Sequence, residues 1–310
     1  MLDSLIARLP MRKFSDPRVT LDGQPRAMVA PTALDTLWFN TGTLCNLTCA
    51  TCYIESSPRN DRLTWLARAE VARFLADAAA LPRPPRTIGF TGGEPFMNPD
   101  IIGMLHDALA AGFEALVLTN AMRPMMKLAM PLLALRDAHG PRLTIRVSVD
   151  HYTRELHESE RGRRSWPPLL KGLEWLAVNG FSARWDEPED TLRAGYATLF
   201  RTYGIAVDAH DPVQLVLFPE MDERADVPEI TEACWGILGK QPESVMCASS
   251  RMVVKRNGAS APVVLACTLI AYDARFELGT DLAGALVPVA LNHPHCAKFC
   301  VLGGASCSAG

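Results

Sequence analysis

From about residue 36 the chain alternates short apolar runs with longer segments of helical period. The runs "TLWF" (36–39), "TIGF" (87–90), "EALVLTN" (114–120) and "LTIRVSVD" (143–150) predict strands. Between them, "TWLARAEVARFLADAAA" (64–80) predicts a helix with Thr64 as its N-cap, and "NPDIIGMLHDALAAG" (98–112) one capped by Asn98. "PMMKLAMPLLALRDA" (124–138) predicts a helix kinked at Pro131, and "WPPLLKGLEWLAVNG" (166–180) one that closes on glycine. "FSARW" (181–185), a polar helix over roughly 188–203, and the strands "GIAVDA" (204–209) and "VQLVLF" (213–218) follow. Repeated strand–helix units predict an α/β fold with a parallel sheet, and six of them a partial (β/α)6 barrel. Function in such folds gathers at the carboxyl ends of the strands.

After residue 230 the pattern changes. "EITEACWGILGK" (229–240) predicts a short helix, and "RMVVKRNGASAPVVLAC" (251–267) a hairpin around Asn257-Gly258. The expected division is an N-terminal extension over 1–35, a barrel over 36–230 and a small cysteine-rich unit over 231–310.

Net charge is −3 over 310 residues, with no basic stripe, so nothing argues for nucleic acid or an anionic membrane. No apolar run approaches a membrane span, and the start lacks the form of a secretory signal, so a cytoplasmic location is expected. There, nine cysteines are core thiols, redox groups or metal ligands, not a disulfide framework.

Three of them, Cys45, Cys49 and Cys52, stand in "CNLTCATCY" just beyond the first barrel strand. Their spacing suits one helix face, but the surrounding Thr, Asn and Gly favour turns, so a loop wrapping a metal centre is expected. Zinc sites usually pair such thiols with a second pair or with histidines, and none is nearby. Three thiolates on an iron–sulfur cubane would leave one iron open.

The Cys-x-x-x-Cys-x-x-Cys spacing resembles the radical S-adenosylmethionine (SAM) enzymes, and further signatures follow in order. "GGEP" (Gly92, Gly93, Glu94, Pro95) follows the second strand, where that family binds the SAM amino group. Asn120, Ser148 and Asp150 end the next strands, and the resemblance implies contact with the SAM ribose and carboxylate. Arg161, in "ERG", would pair with the carboxylate. The position before the third cysteine, aromatic in the family, is Thr51 here, and Tyr53 follows instead. The resemblance implies a 4Fe-4S cluster held by three cysteines and by SAM.

Cys247, Cys267, Cys296, Cys300 and Cys307 resemble the SPASM/Twitch extensions of the same superfamily. Those hold auxiliary 4Fe-4S clusters. Here Cys247, Cys267, Cys296 and Cys300 are the expected ligands of one cluster, with Cys307 able to replace one of them. Zinc with His293 or His295 is the competing reading, and Cys234 is expected in the core.

The implied activity is that of a radical SAM oxidoreductase, or a maturase of a peptide or small molecule, fed by flavodoxin or ferredoxin. Only some thirty residues precede the barrel, which tilts the expectation toward a small molecule or a peptide presented by another protein. Asp150, His151, Tyr152, Trp185 and His210 lie near predicted strand ends and are candidates to face the substrate. An iron–sulfur electron carrier without SAM turnover and a zinc-stabilised barrel are the alternatives.

Overall fold

The computed structural model describes residues 12–181, 183–184, 189–211, 214–215 and 226–303. Cys307, Trp185 and most of "VQLVLF" lie outside them.

Seven strands form one sheet in the order β6-β5-β4-β3-β2-β7-β8. Here β2 is Thr36–Asn40, β3 Thr87–Thr91, β4 Glu114–Thr119, β5 Leu143–Val147 and β6 Ala183–Arg184. They run parallel, with Leu37 opposite Ile88, Ile88 opposite Ala115 and Ala115 opposite Leu143. All five residues of β2 are buried, as expected of a parallel strand covered on both faces. The sheet does not close on itself; its ends are β6 and β8, so the barrel is partial. A separate two-stranded pair joins β1 (Met28–Val29) to β9 (Val289–Ala290).

The predicted hairpin forms, as β7 (Ser250–Val254) and β8 (Val263–Leu265), antiparallel with Val254 opposite Val263. Gly258 takes the left-handed backbone (φ 79°) that the turn requires. The hairpin joins the barrel sheet directly: β7 lies parallel to β2, with Leu37 opposite Arg251.

Alternation along the strands separates two apolar clusters. Leu37, Phe39, Ile88, Phe90, Val117 and Ile145 face the helices, packing with Phe74 of α1 (Arg68–Ala79) and Leu105 of α2 (Ile101–Ala110). Trp38, Leu116, Met252 and Leu265 point the other way, into a cluster made largely of the C-terminal segment.

Local predictions needed four corrections. Asn98 does not cap α2; the cap is Asp100, whose N–H donates to Asn98 Oδ1 at 2.9 Å. Thr64 does not cap α1; the cap is Ala67, whose N–H donates to Glu70 Oε2 at 2.9 Å. Residues 124–138 are not one kinked helix but α3 (Arg123–Met126) and α4 (Ala129–His139). Pro131 explains the break: its ring would strike the Lys127 carbonyl of a continuous helix, so the chain restarts with proline in the first turn. "GIAVDA" forms no strand. Gly204 (φ 64°) ends α7 (Glu189–Thr202), and the Asp208 carboxylate folds the chain into a turn by accepting the His210 N–H at 2.9 Å. Three further helices, α5 (Arg154–Arg161), α6 (Trp166–Val178) and α8 (Ala233–Leu238), complete the description. Among the described residues, no helix is long and apolar enough to cross a membrane.

Candidate active site and a second thiol pocket

The cysteine loop leaves β2 at Asn40, whose side chain accepts the Gly42 N–H at 3.0 Å. It is irregular, as its composition predicts, and its backbone bonds go outward to other segments. Thr43 N–H donates to Leu63 O (3.0 Å), Cys45 N–H to Ser57 O (3.0 Å) and Ala50 N–H to Glu160 O (2.9 Å).

The GGEP turn after β3 is stitched to the same loop. Gly93 N–H donates to Gly42 O at 2.8 Å, and Glu94 N–H to Leu44 O at 3.1 Å. A Cβ on Gly92 would stand 2.4 Å from Gly42 O, and one on Gly93 would stand 2.2 Å from Leu44 O. These glycines therefore let two backbones approach each other, which places GGEP beside the thiols. The Glu94 carboxylate points inward. It accepts from Thr119 Oγ1 (2.8 Å), Asn120 N (2.9 Å) and Phe96 N (3.2 Å), fastening β3 to β4. Burial pushes its pKa up to about 7, against the pull of those hydrogen bonds.

Asn120 reaches the loop as well. Its amide donates to Asn46 Oδ1 at 2.9 Å and stands 3.9 Å from Cys45 Sγ. Ser148 follows β5 and extends its ladder, donating its N–H to Thr119 O at 2.9 Å. Asp150 and Arg161 form a bidentate ion pair, with Arg161 Nη2 at 2.9 Å from Asp150 Oδ1. The guanidinium side chain is 9% exposed and lies within electrostatic reach of Cys45 and Cys49. His151 stacks on Tyr152 at 4.2 Å between centroids, and Tyr152 meets Tyr196 edge-on. His210 is set apart from this group, exposed on the turn after α7.

Sequence reasoning missed His157. It is fully buried on α5, one helical turn before Arg161, against Trp166, and among the described residues neither ring nitrogen has a hydrogen-bond partner. Burial, then the charge of Arg161, lowers its pKa to about 4. The i, i+4 spacing of "HESER" was the available signal.

Cys45 is buried, and Cys49 and Cys52 are partly so. Desolvation pushes the Cys45 thiol up to about 12 and raises Cys49. Such thiols stay protonated until a strongly positive centre displaces the protons. Among the described residues no group of His, Cys, Asp or Glu is gathered to hold a single metal ion. Cubane thiolates stand further apart, because each binds its own iron. Three thiols on one loop, with no fourth protein donor among them, fit a cubane with one open iron.

The tail thiols meet at a second place. Cys247, Cys267, Cys296 and Cys300 line one pocket with His295 and apolar residues including Leu269, Phe276 and Val289. Burial pushes Cys247 up to about 12, and Cys296 feels the other three thiols. Cys296 and Cys300 lie on a π-helical turn over Cys296–Leu302. Cys234 is only partly buried, on α8, its Sγ 3.3 Å from Thr231 Oγ1.

The two places touch. Tyr53, beside the first triplet, donates its hydroxyl to Thr268 O at 3.4 Å, and Tyr272 donates back to Ile54 O at 2.7 Å. Cys52, Ile54, Cys247, Cys267 and Cys296 belong to one apolar cluster.

Residues 39–187 match the family model of the Radical SAM superfamily. The chain is 31% identical over 142 residues to the antilisterial bacteriocin subtilosin biosynthesis protein AlbA of Bacillus subtilis (strain 168). That match covers 45% of this chain and 30% of AlbA. Streptococcus suis SuiB bound to S-adenosylmethionine superposes with a TM-score of 0.58 at 13% identity, over 80% of this chain and 63% of that one. Native anSMEcpe with bound AdoMet gives a TM-score of 0.59 at 12% identity, over 83% of this chain and 81% of that one. The chain therefore spans less than two thirds of both AlbA and SuiB. Motif order and sequence relationship agree over residues 39–187, the part of the chain that matches the Radical SAM superfamily.

Proposed function

We propose that this protein cleaves SAM reductively and uses the resulting radical to modify a peptide oxidatively, with a second cluster in the C-terminal pocket. The observation that carries the reading is the joining of three closely spaced thiols to the GGEP turn at the mouth of the sheet. Cys45, Cys49 and Cys52 would hold the first cluster. Gly92 and Gly93 would offer backbone to the SAM amino group, and Asn120, Ser148 and the Asp150–Arg161 pair would border the nucleotide. Cys247, Cys267, Cys296 and Cys300 would hold the second cluster. When bound, these groups supply one-electron chemistry: homolysis of the sulfonium C–S bond, hydrogen abstraction from substrate and an acceptor for the leftover electron.

The residues of the chain orient and shield. The apolar cluster shared by Cys52 and Cys267 excludes water between the two sites. The stack of His151 on Tyr152 stands just past β5, where a substrate would enter. A low-potential donor of the flavodoxin or ferredoxin type would deliver the electron. Two observations favour a peptide over a small molecule: AlbA is named for the biosynthesis of a bacteriocin, and the structural relatives include SuiB bound to the precursor peptide SuiA.

The test is anaerobic reconstitution followed by mass spectrometry of 5′-deoxyadenosine formed with deuterated candidate peptides. Deuterium in the nucleoside supports the reading. Iron-loaded protein that forms no 5′-deoxyadenosine with dithionite and SAM overturns it.

A further inference from the structure

Arg251, on β7, is 1% exposed. Among the described residues its guanidinium donates only to carbonyls: Ala285 at 2.9 Å, Cys247 at 2.6 Å, Ser250 at 2.7 Å and Val287 at 3.1 Å. Among the described residues no carboxylate pairs with it. Two other arginines differ. Arg26, 2% exposed, has Glu229 at 2.5 Å, and Arg161 has Asp150. A buried cation without a counter-charge is costly. Its bond to Cys247 O, at 2.6 Å, ties it to the tail pocket that Cys247 and Cys267 line.

The charge and the thiols therefore form one unit. We propose that Arg251 is a positioning residue: the built-in counter-cation of the cluster held by Cys247, Cys267, Cys296 and Cys300, raising its reduction potential. The inference rests on the reading of that pocket as a cluster site. A cubane on four thiolates is net negative, and more so when reduced. An apolar cavity opposes the added negative charge and would hold the potential low. A fixed buried cation nearby works in the opposite direction. Because it is sealed from solvent, salt does not screen it as it would a surface lysine. The result is a centre that accepts an electron more readily than its apolar walls alone would allow, as an oxidative modification requires.

The experiment uses the full chain carrying Cys45→Ala, Cys49→Ala and Cys52→Ala, so that only the pocket cluster remains, with redox titration followed by electron paramagnetic resonance. Arg251→Met and Arg251→Gln should each lower the midpoint. The reduced-to-oxidised ratio at fixed potential should fall tenfold or more, or about 59 mV for a one-electron couple. Arg251→Lys keeps the charge and should hold the ratio within about threefold. Neutral variants that load iron with an unmoved midpoint overturn the inference. Loss of folding in the lysine and neutral variants alike would also overturn it, because Arg251 would then be only a clamp on four carbonyls. Absence of pocket iron from the parent chain removes the pocket reading itself and this inference with it. That result differs from a loaded cluster whose potential does not respond.

Discussion

The first thiol group sits on an open loop and the second inside an apolar cavity, and each arrangement suits a different coordination. Cys45, Cys49 and Cys52 are held by backbone bonds to residues 57, 63 and 160, with two of the three thiols partly exposed. Their neighbouring cation, Arg161, already has a carboxylate partner. Cys247, Cys267 and Cys296 are buried, and their cation, Arg251, has none among the described residues. In the proposed function the first site must admit an outside ligand, so it stays polar and accessible. The second is complete within the protein, so its properties are set by burial and by charge.

The largest test of this contrast removes one site at a time. Cys45→Ala should abolish 5′-deoxyadenosine formation with dithionite, and anaerobically prepared iron should fall from about eight to about four per chain. Cys267→Ala should lose about as much iron and form no modified product, yet still cleave SAM, which separates the two roles by product analysis. If Cys267→Ala also stops cleavage, the sites are not functionally distinct.

A smaller effect probes how the open loop is placed. Gly93→Ala drives a methyl into the Leu44 and Thr43 carbonyls, which are backbone and cannot swing aside. It should destabilise the cluster-free protein by about 1–3 kcal/mol, read by chemical denaturation, and selectively deplete first-site iron. The effect that vanishes at neutral pH concerns acidity. His157 resists protonation down to about pH 4, while the unfolded chain takes the proton near 6.5. The unfolded state therefore binds more protons between those values, and stability falls as pH drops through that window, by up to about 3 kcal/mol at pH 4. His157→Leu should flatten that slope in denaturant titrations of the cluster-free protein.

Features fixed by local chemistry were legible in the sequence. The Thr-, Asn- and Gly-rich cysteine stretch is a loop, Asn257-Gly258 turns a hairpin, and alternating apolar runs become a parallel sheet. Features fixed by distant partners were not. Ala67 replaces Thr64 as the cap of α1 because Glu70 reaches back and Asp100 Oδ2, 32 residues away, accepts the Arg68 N–H. The Glu94 carboxylate fastens two strands, a role its motif does not announce. Arg251 sits in an ordinary strand pattern, and its meaning emerges only when the carbonyls of 285 and 287 close around it.

The parallel pairing of β7 with β2 carries a practical consequence. Cutting the chain after residue 230 would not release a finished barrel. It would uncover a row of unsatisfied N–H and C=O groups along β2 and leave Trp38, 1% exposed in the whole protein, without its cover. Such a fragment would present a sticky, template-like margin to its own copies, and its expression alone would end in aggregates.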